Sequence, residues 1–101
     1  MFYHVPALLD ESIRGLNIRP DGIYVDVTFG GGGHSREILK RLRNGRLIAF
    51  DQDEDAIQNV PDDKRLIFLN QNFRFLKNNL KFNGITEIDG LIADLGVSFH
   101  Q

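Results

Sequence analysis

Asp26, Asp51 and Asp94 each stand at the end of a short apolar or β-branched run, and Thr28-Phe29-Gly30-Gly31-Gly32-Gly33 follows close on the first of them. A loop kept bare of side chains brings backbone N–H groups and a helix N-terminus close to a ligand, an arrangement that ordinarily holds phosphate. A nucleoside-triphosphate loop does not fit, because the glycines lead into His34-Ser35-Arg36 and no Gly-Lys-Ser or Gly-Lys-Thr follows. A dinucleotide loop fits by half: Gly30-x-Gly32-x-x-Ser35 is followed, about 20 residues on, by Asp51, which is placed to take a pair of ribose hydroxyls. The acid in front of the loop separates the options. Asp26-x-Thr28-x-Gly30-x-Gly32 is close to the acidic-x-Gly-x-Gly-x-Gly pattern of S-adenosylmethionine sites, with Thr28 in place of the first glycine. A carboxylate there suits an ammonium and a sulfonium and repels a pyrophosphate. On this reading Asp51 chelates the ribose hydroxyls, Phe73 lies against the adenine ring, and Asp94 stands where the methyl group meets its acceptor. Each has a structural alternative, since a strand-end Asp often caps a turn or helix and a Phe usually belongs to a core.

The elements that must position these residues alternate between strand and helix. Pro6 suits the first turn of a helix over Ala7 to Leu16, with Leu9, Ile13 and Leu16 on one face. Turn chemistry at Arg19-Pro20-Asp21-Gly22 leads into a first strand, Ile23 to Val27. The consecutive glycines lose too much backbone entropy to join a regular element, so a loop is expected there. Ser35 is expected to cap the next helix, with Ile38, Leu39 and Leu42 as its apolar stripe and a left-handed Gly45 as its stop. Arg46 to Phe50 reads as a strand covered on both faces. A short helix over Glu54 to Val60 is halted by Pro61, and Leu66 to Leu69 forms a third strand. Phe73, Leu76 and Leu80 share a helical face closed by Asn83-Gly84, and Ile88 to Leu95 is the fourth strand. This alternation predicts an α/β fold with a partial parallel sheet of about four strands, flanked by helices, Rossmann-like. Ligand sites in such sheets lie outside the carboxyl ends of the strands, where the acids fall.

Composition narrows the classes. A chain of 101 residues with 42% hydrophobic content has room for one core, so residues 1–101 are read as part of one domain. Cys is absent, which removes disulfides, thiolate nucleophiles and thiolate metal sites, and no carboxylate and histidine spacing indicates a metal. No apolar run approaches the ~20 residues of a membrane span, and the N-terminus lacks the features of a signal peptide, so a cytoplasmic location is expected. Twelve Lys and Arg against fourteen Asp and Glu give a net charge of -2. A nucleic-acid partner would therefore need a local patch or further protein to hold it. Arg36, Lys40, Arg41, Arg43 and Arg46 form the most basic stretch, read here as a solvated helix face. His4 and His100, near the termini, are read as solvated.

The segments His4 to Leu9, Gly22 to Ser35, Phe50 to Asp53 and Asp89 to Ser98 together resemble the ribosomal RNA small subunit methyltransferase H family, the MraW type. The resemblance implies an S-adenosylmethionine-dependent methyltransferase fold and transfer of a methyl group to N4 of a cytosine in 16S rRNA of the small ribosomal subunit. Carried over by position, it implies cofactor contacts at Gly32, Gly33, His34, Asp51, Phe73, Asp94 and Gln101, with Asp26 added from the loop itself. His34 is expected to contribute its backbone, its ring lying exposed. Asp94 is expected to be catalytic, accepting hydrogen bonds from the amino group of the target base as positive charge develops. Phe99 stands where the family usually has a second Ser after Gly-Val-Ser, which changes the acceptor side of the pocket. Members of the family are considerably longer, so the chain resembles only their N-terminal part, without the substrate-binding helical region and remaining strands. Its fourth strand would then be an exposed apolar edge open to self-association. Two alternatives stay open: the NAD-binding Rossmann domain of an oxidoreductase, and a non-catalytic fragment that self-associates through that edge.

Overall fold

The computed structural model describes residues 17–93, so the expected helix over 7–16 lies outside it, as do Asp94 and Gln101. Among these residues four strands form: β1 (Ile23–Asp26), β2 (Arg46–Phe50), β3 (Leu66–Leu69) and β4 (Gly90–Ile92). All pair in parallel, in the order β3-β2-β1-β4. The chain steps outward from β1 to β3 and then returns to the far side of β1, which puts the point where strand order reverses beside β1. Such a point is where open α/β sheets bind ligands.

Both faces of the sheet are covered, which is why the strands read as nearly continuous apolar runs. On one face Tyr24, Leu47 and Ile92 pack with Ile38, Leu39 and Leu42 from helix α1 (Gly33–Arg41) and the residue after it. The same side continues into Phe29, Ala49, Ala56 and Phe68 beneath a 3-10 helix over Glu54–Asn59. On the other face Val25, Val27, Ile48 and Phe50 pack with Leu76 and Leu80 of α2 (Leu76–Phe82) and with Ile85. Successive residues along each strand thus serve opposite cores, as pleating requires.

Local details depart from the expectations in instructive ways. The segment over Glu54–Asn59 is 3-10 rather than α, and Phe73–Phe75 forms a 3-10 turn before α2 begins. Gly84 does end α2 in the left-handed region, at φ 73°. Gly45 does not; instead a Cβ there would meet the Gly22 carbonyl oxygen at 2.2 Å, so its hydrogen side chain is required by close approach of the turn before β1. Ser35 lies inside α1, and the N-cap is Gly32 at φ 88°, a conformation costly for any residue with a Cβ. β4 is shorter than expected and, among the described residues, pairs only with β1, leaving Leu91 exposed on an edge strand.

The end of α1 is capped from a distance. Arg65 donates from Nη1 to the Leu39 and Leu42 carbonyls at 2.8 and 2.5 Å, while its Nη2 and Nε hold Asp63. These bonds satisfy the terminal carbonyls and set a cation at the negative end of the helix dipole. The side-chain hydrogen bonds from Arg65, joined by its backbone N–H, pull the Asp63 carboxyl down to about 2. A folded-state value below the ordinary one stabilises the fold above the ordinary carboxyl range, and that contribution disappears as pH falls from about 4 to about 2. With both groups partly solvated, Asp63→Asn is expected to cost about 1–2 kcal/mol at pH 7. Urea titrations of both proteins from pH 7 down should show the difference shrinking steeply below about pH 4 and vanishing below about pH 2.

Candidate functional site

The glycine loop is held from three sides. Beneath it Asp26 ends β1 fully buried, its Oδ1 accepting from the Thr28 N–H at 3.0 Å and its Oδ2 from the Ser35 hydroxyl at 2.8 Å. Beside it Asp51 ends β2, its Oδ2 accepting from the Gly30 N–H at 2.7 Å and its Oδ1 from the Asp53 N–H at 2.9 Å. The Asn70 side chain donates to the Asp51 carbonyl at 2.8 Å and so ties the end of β3 to the same point. From α1, Arg36 donates to the Gly31 carbonyl at 2.8 Å and to the Asn59 carbonyl at 2.7 Å, joining the loop to the 3-10 helix after β2.

These ties leave an open cleft of about 490 Å³ at the carboxyl ends of β1, β2 and β3. It is lined by Val27, Thr28 and Gly30 after β1, by Asp51, Gln52 and Asp53 after β2, and by Gln71 and Phe73 after β3. Among the described residues of this lining Asp51 and Asp53 are the only ionisable ones, and none is a lysine or arginine. The Phe73 ring is 52% exposed, so it is a wall of the cleft and adds little to the core shared by Leu76 and Leu80. An exposed aromatic face and an accessible carboxylate suit a planar heterocycle joined to a diol, whereas a pyrophosphate would be repelled by Asp51 and Asp53.

Of the residues singled out from sequence, Asp51 and Phe73 therefore come together in one cleft with Gly30. Asp26 does not line it: its carboxylate is turned into the base of the loop, toward Ser35. Gly32 and Gly33 form the turn into α1 rather than a free loop. His34 is buried, not exposed, because α1 begins at Gly33 and places residue 34 on the same inward face as Ile38, four residues on. Arg36, read as a solvated cation, instead fastens the loop, while Lys40 and Arg41 pair with Glu37 on the solvent side. Asp94 and Gln101 lie outside the described residues. Sequence reasoning missed Gln52, Asp53 and Gln71; the signal was available, since each lies within three residues of a strand's carboxyl end.

The chain is matched over residues 1–101 by the model of the MraW methylase family. Among curated proteins it is 63% identical, over its whole length, to the ribosomal RNA small subunit methyltransferase H of Flavobacterium johnsoniae, of which it covers 34%. It is 65% identical to the protein of the same name from Parabacteroides distasonis over 98% of the chain and 33% of that protein. The chain thus spans about a third of the length of the curated relatives it matches. Among solved structures it superposes with a TM-score of 0.56 on one described as a type II methyltransferase from Anaeromyxobacter dehalogenans, at 19% identity, covering 90% of this chain and 35% of that one. That likeness supports the Rossmann-like fold and nothing finer.

Proposed function

The chain belongs to the MraW methylase family, and on that premise we propose that it supplies the cofactor-binding part of an S-adenosylmethionine-dependent methyltransferase acting on N4 of a cytosine in 16S rRNA. The observation that carries the cofactor reading is the charge of the cleft: among the described residues that line it stand two carboxylates, an exposed Phe and no cation. S-adenosylmethionine brings a methyl group already activated on a sulfonium, so the protein's task is placement and exclusion of water. Asp51 takes the ribose hydroxyls through the lone pairs its carboxylate has left after holding Gly30 and Asp53. Phe73 lies along the adenine ring. The turn Gly32-Gly33-His34 offers backbone next to the ligand, and Gln101 adds a contact. Asp26 keeps that turn in place from below and acts as a positioning residue.

Cytosine N4 is a weak nucleophile because its lone pair is delocalised into the ring. In the sequence Asp94 follows two residues after the end of β4, and in this reading it accepts hydrogen bonds from the amino hydrogens as charge develops at the nitrogen. The target base has to leave its stack to reach it.

Calorimetric titration of the full chain with S-adenosylhomocysteine and with NADH tests the cofactor. Binding of the first and not the second is expected, and a preference for NADH overturns the reading. For the catalytic assignment, Asp94→Asn made in a version of the relatives' full length, since turnover on RNA is not expected of these 101 residues alone, should slow incorporation of labelled methyl into small-subunit rRNA by roughly 10²-fold or more. Unchanged incorporation removes Asp94 from the chemistry.

A further inference from the structure

From Lys64 to Thr86 the sequence holds no acidic residue, although the chain as a whole carries a net charge of -2. Within this stretch Arg74, Lys77 and Lys81 stand at i, i+3 and i+7, one exposed stripe along the 3-10 turn and α2. None of the three makes an ion pair among the described residues, whereas Lys40 and Arg41 share Glu37, Arg65 holds Asp63 and Arg19 holds Asp89. Lys77 and Lys81, four apart, repel each other, a cost that a helix ordinarily removes with an interleaved acid. The stripe starts at the cleft, because Phe73 is both the cleft wall and the first residue of the turn. There the Arg74 guanidinium lies over the Phe75 ring, 4.9 Å from its centroid, and Phe75 is itself exposed. Further along, Lys77, Lys81 and Ile85 border a groove of about 590 Å³.

We propose that this stripe is the surface along which single-stranded RNA approaches the cleft, with Arg74, Lys77 and Lys81 taking successive phosphates and the Arg74–Phe75 stack giving a platform for a base. The proposal rests on the rRNA reading above and adds the path by which RNA arrives. Cations outside ion pairs, in a stretch of sequence without acids and beside an exposed aromatic ring, are what an unstacked polynucleotide requires. The remaining described cations outside ion pairs do not serve: Arg43, Arg46 and Lys64 lie by the amino ends of β2 and β3, away from the cleft, and Arg36 is spent on the loop.

The test is fluorescence anisotropy of a labelled single-stranded RNA spanning the decoding region of 16S rRNA, titrated with the full chain at several salt concentrations. The triple variant Arg74→Gln/Lys77→Gln/Lys81→Gln keeps helix propensity and removes a repulsion, so circular dichroism should show it folded. Its binding is expected to weaken roughly tenfold or more at low salt, and the slope of log K against log salt to fall in magnitude by about 2. A matched variant, Arg43→Gln/Arg46→Gln/Lys64→Gln, removes equal charge elsewhere and should leave most of that slope. Equal losses in the two variants, or none in the first, overturn the surface while leaving the rRNA reading intact. A wild-type chain that binds no RNA at any salt defeats both. Competition by polyaspartate as strong as that by unlabelled RNA overturns the commitment to RNA.

Discussion

Replacing Asp26 by Ala is expected to lower stability by about 3 kcal/mol, whereas Asp26→Asn costs about 1 kcal/mol. The carboxylate is fully buried and holds both the Thr28 N–H and the hydroxyl of Ser35, itself fully buried. Hydrogen bonds to an ionised acceptor contribute about 1.5–3 kcal/mol each, and truncation leaves both donors without that acceptor in a site where water is scarce. Relief of the buried charge's desolvation offsets part of the loss. The Asn side chain keeps the shape, presents its oxygen to Thr28, and donates from its amide to a hydroxyl that can rotate to accept. The two substitutions therefore discriminate between roles. Were Asp26 a direct counter-charge to a bound ammonium, Asn would abolish ligand binding at little cost in stability. As a fastener of the loop, Asp26 replaced by Asn should leave binding intact at the cost of about 1 kcal/mol in stability. Thermal melts read the first quantity, with a shift of roughly 10–20 °C expected for Ala in a domain of this size. Titration with S-adenosylhomocysteine reads the second.

The strands were legible because each is a short apolar run closed by turn residues, and the both-faced burial of β2 follows from the unbroken Leu47-Ile48-Ala49-Phe50. Loop and helix boundaries were less so, since they depend on contacts distant in sequence. Nothing local to Ser35 indicates that its hydroxyl meets a carboxylate nine residues earlier; a Ser beside a predicted helix start looks like a cap. Gly45 resembles a left-handed stop until the chain before β1 is seen to pass within contact of it. Arg36 sits in a basic run and looks solvated, yet its partners are carbonyls, at Gly31 and Asn59, that carry no sequence signature. His34 was misread for a simpler reason: starting α1 at Gly33 turns the residue by the angle that separates an outward from an inward face. The site itself was half visible. The rule that ligands gather at carboxyl ends of strands points to the cleft that Asp51 and Phe73 line, but it is blind to whether an acid such as Asp26 faces that cleft or the scaffold beneath it.

The largest effect on ligand affinity is expected from Asp51→Ala, on the order of 10²-fold weaker binding of S-adenosylhomocysteine. The Asp51 carboxylate occupies the cleft with one backbone N–H on each oxygen, leaving lone pairs on both for a pair of hydroxyls. Two hydrogen bonds to an ionised acceptor, at about 1.5 kcal/mol or more apiece, amount to that hundredfold at about 1.4 kcal/mol per decade. Loss of the tie to Gly30 adds to it by loosening the loop, so affinity alone does not separate ribose contact from loop support. A 2′-deoxy analogue of the ligand does. The wild-type chain is expected to prefer the ribose form by about tenfold, the worth of one such bond, and the variant to bind both forms alike. Asp51→Asn should fall between, because its oxygen still accepts from Gly30 while its amide opposes the Asp53 N–H. If the Ala variant retains the preference for the ribose form, Asp51 supports the loop and the hydroxyls are held by another group. Because the carboxylate is only partly buried, the same variant should lose no more than about 1–2 kcal/mol of stability, well below the loss at Asp26.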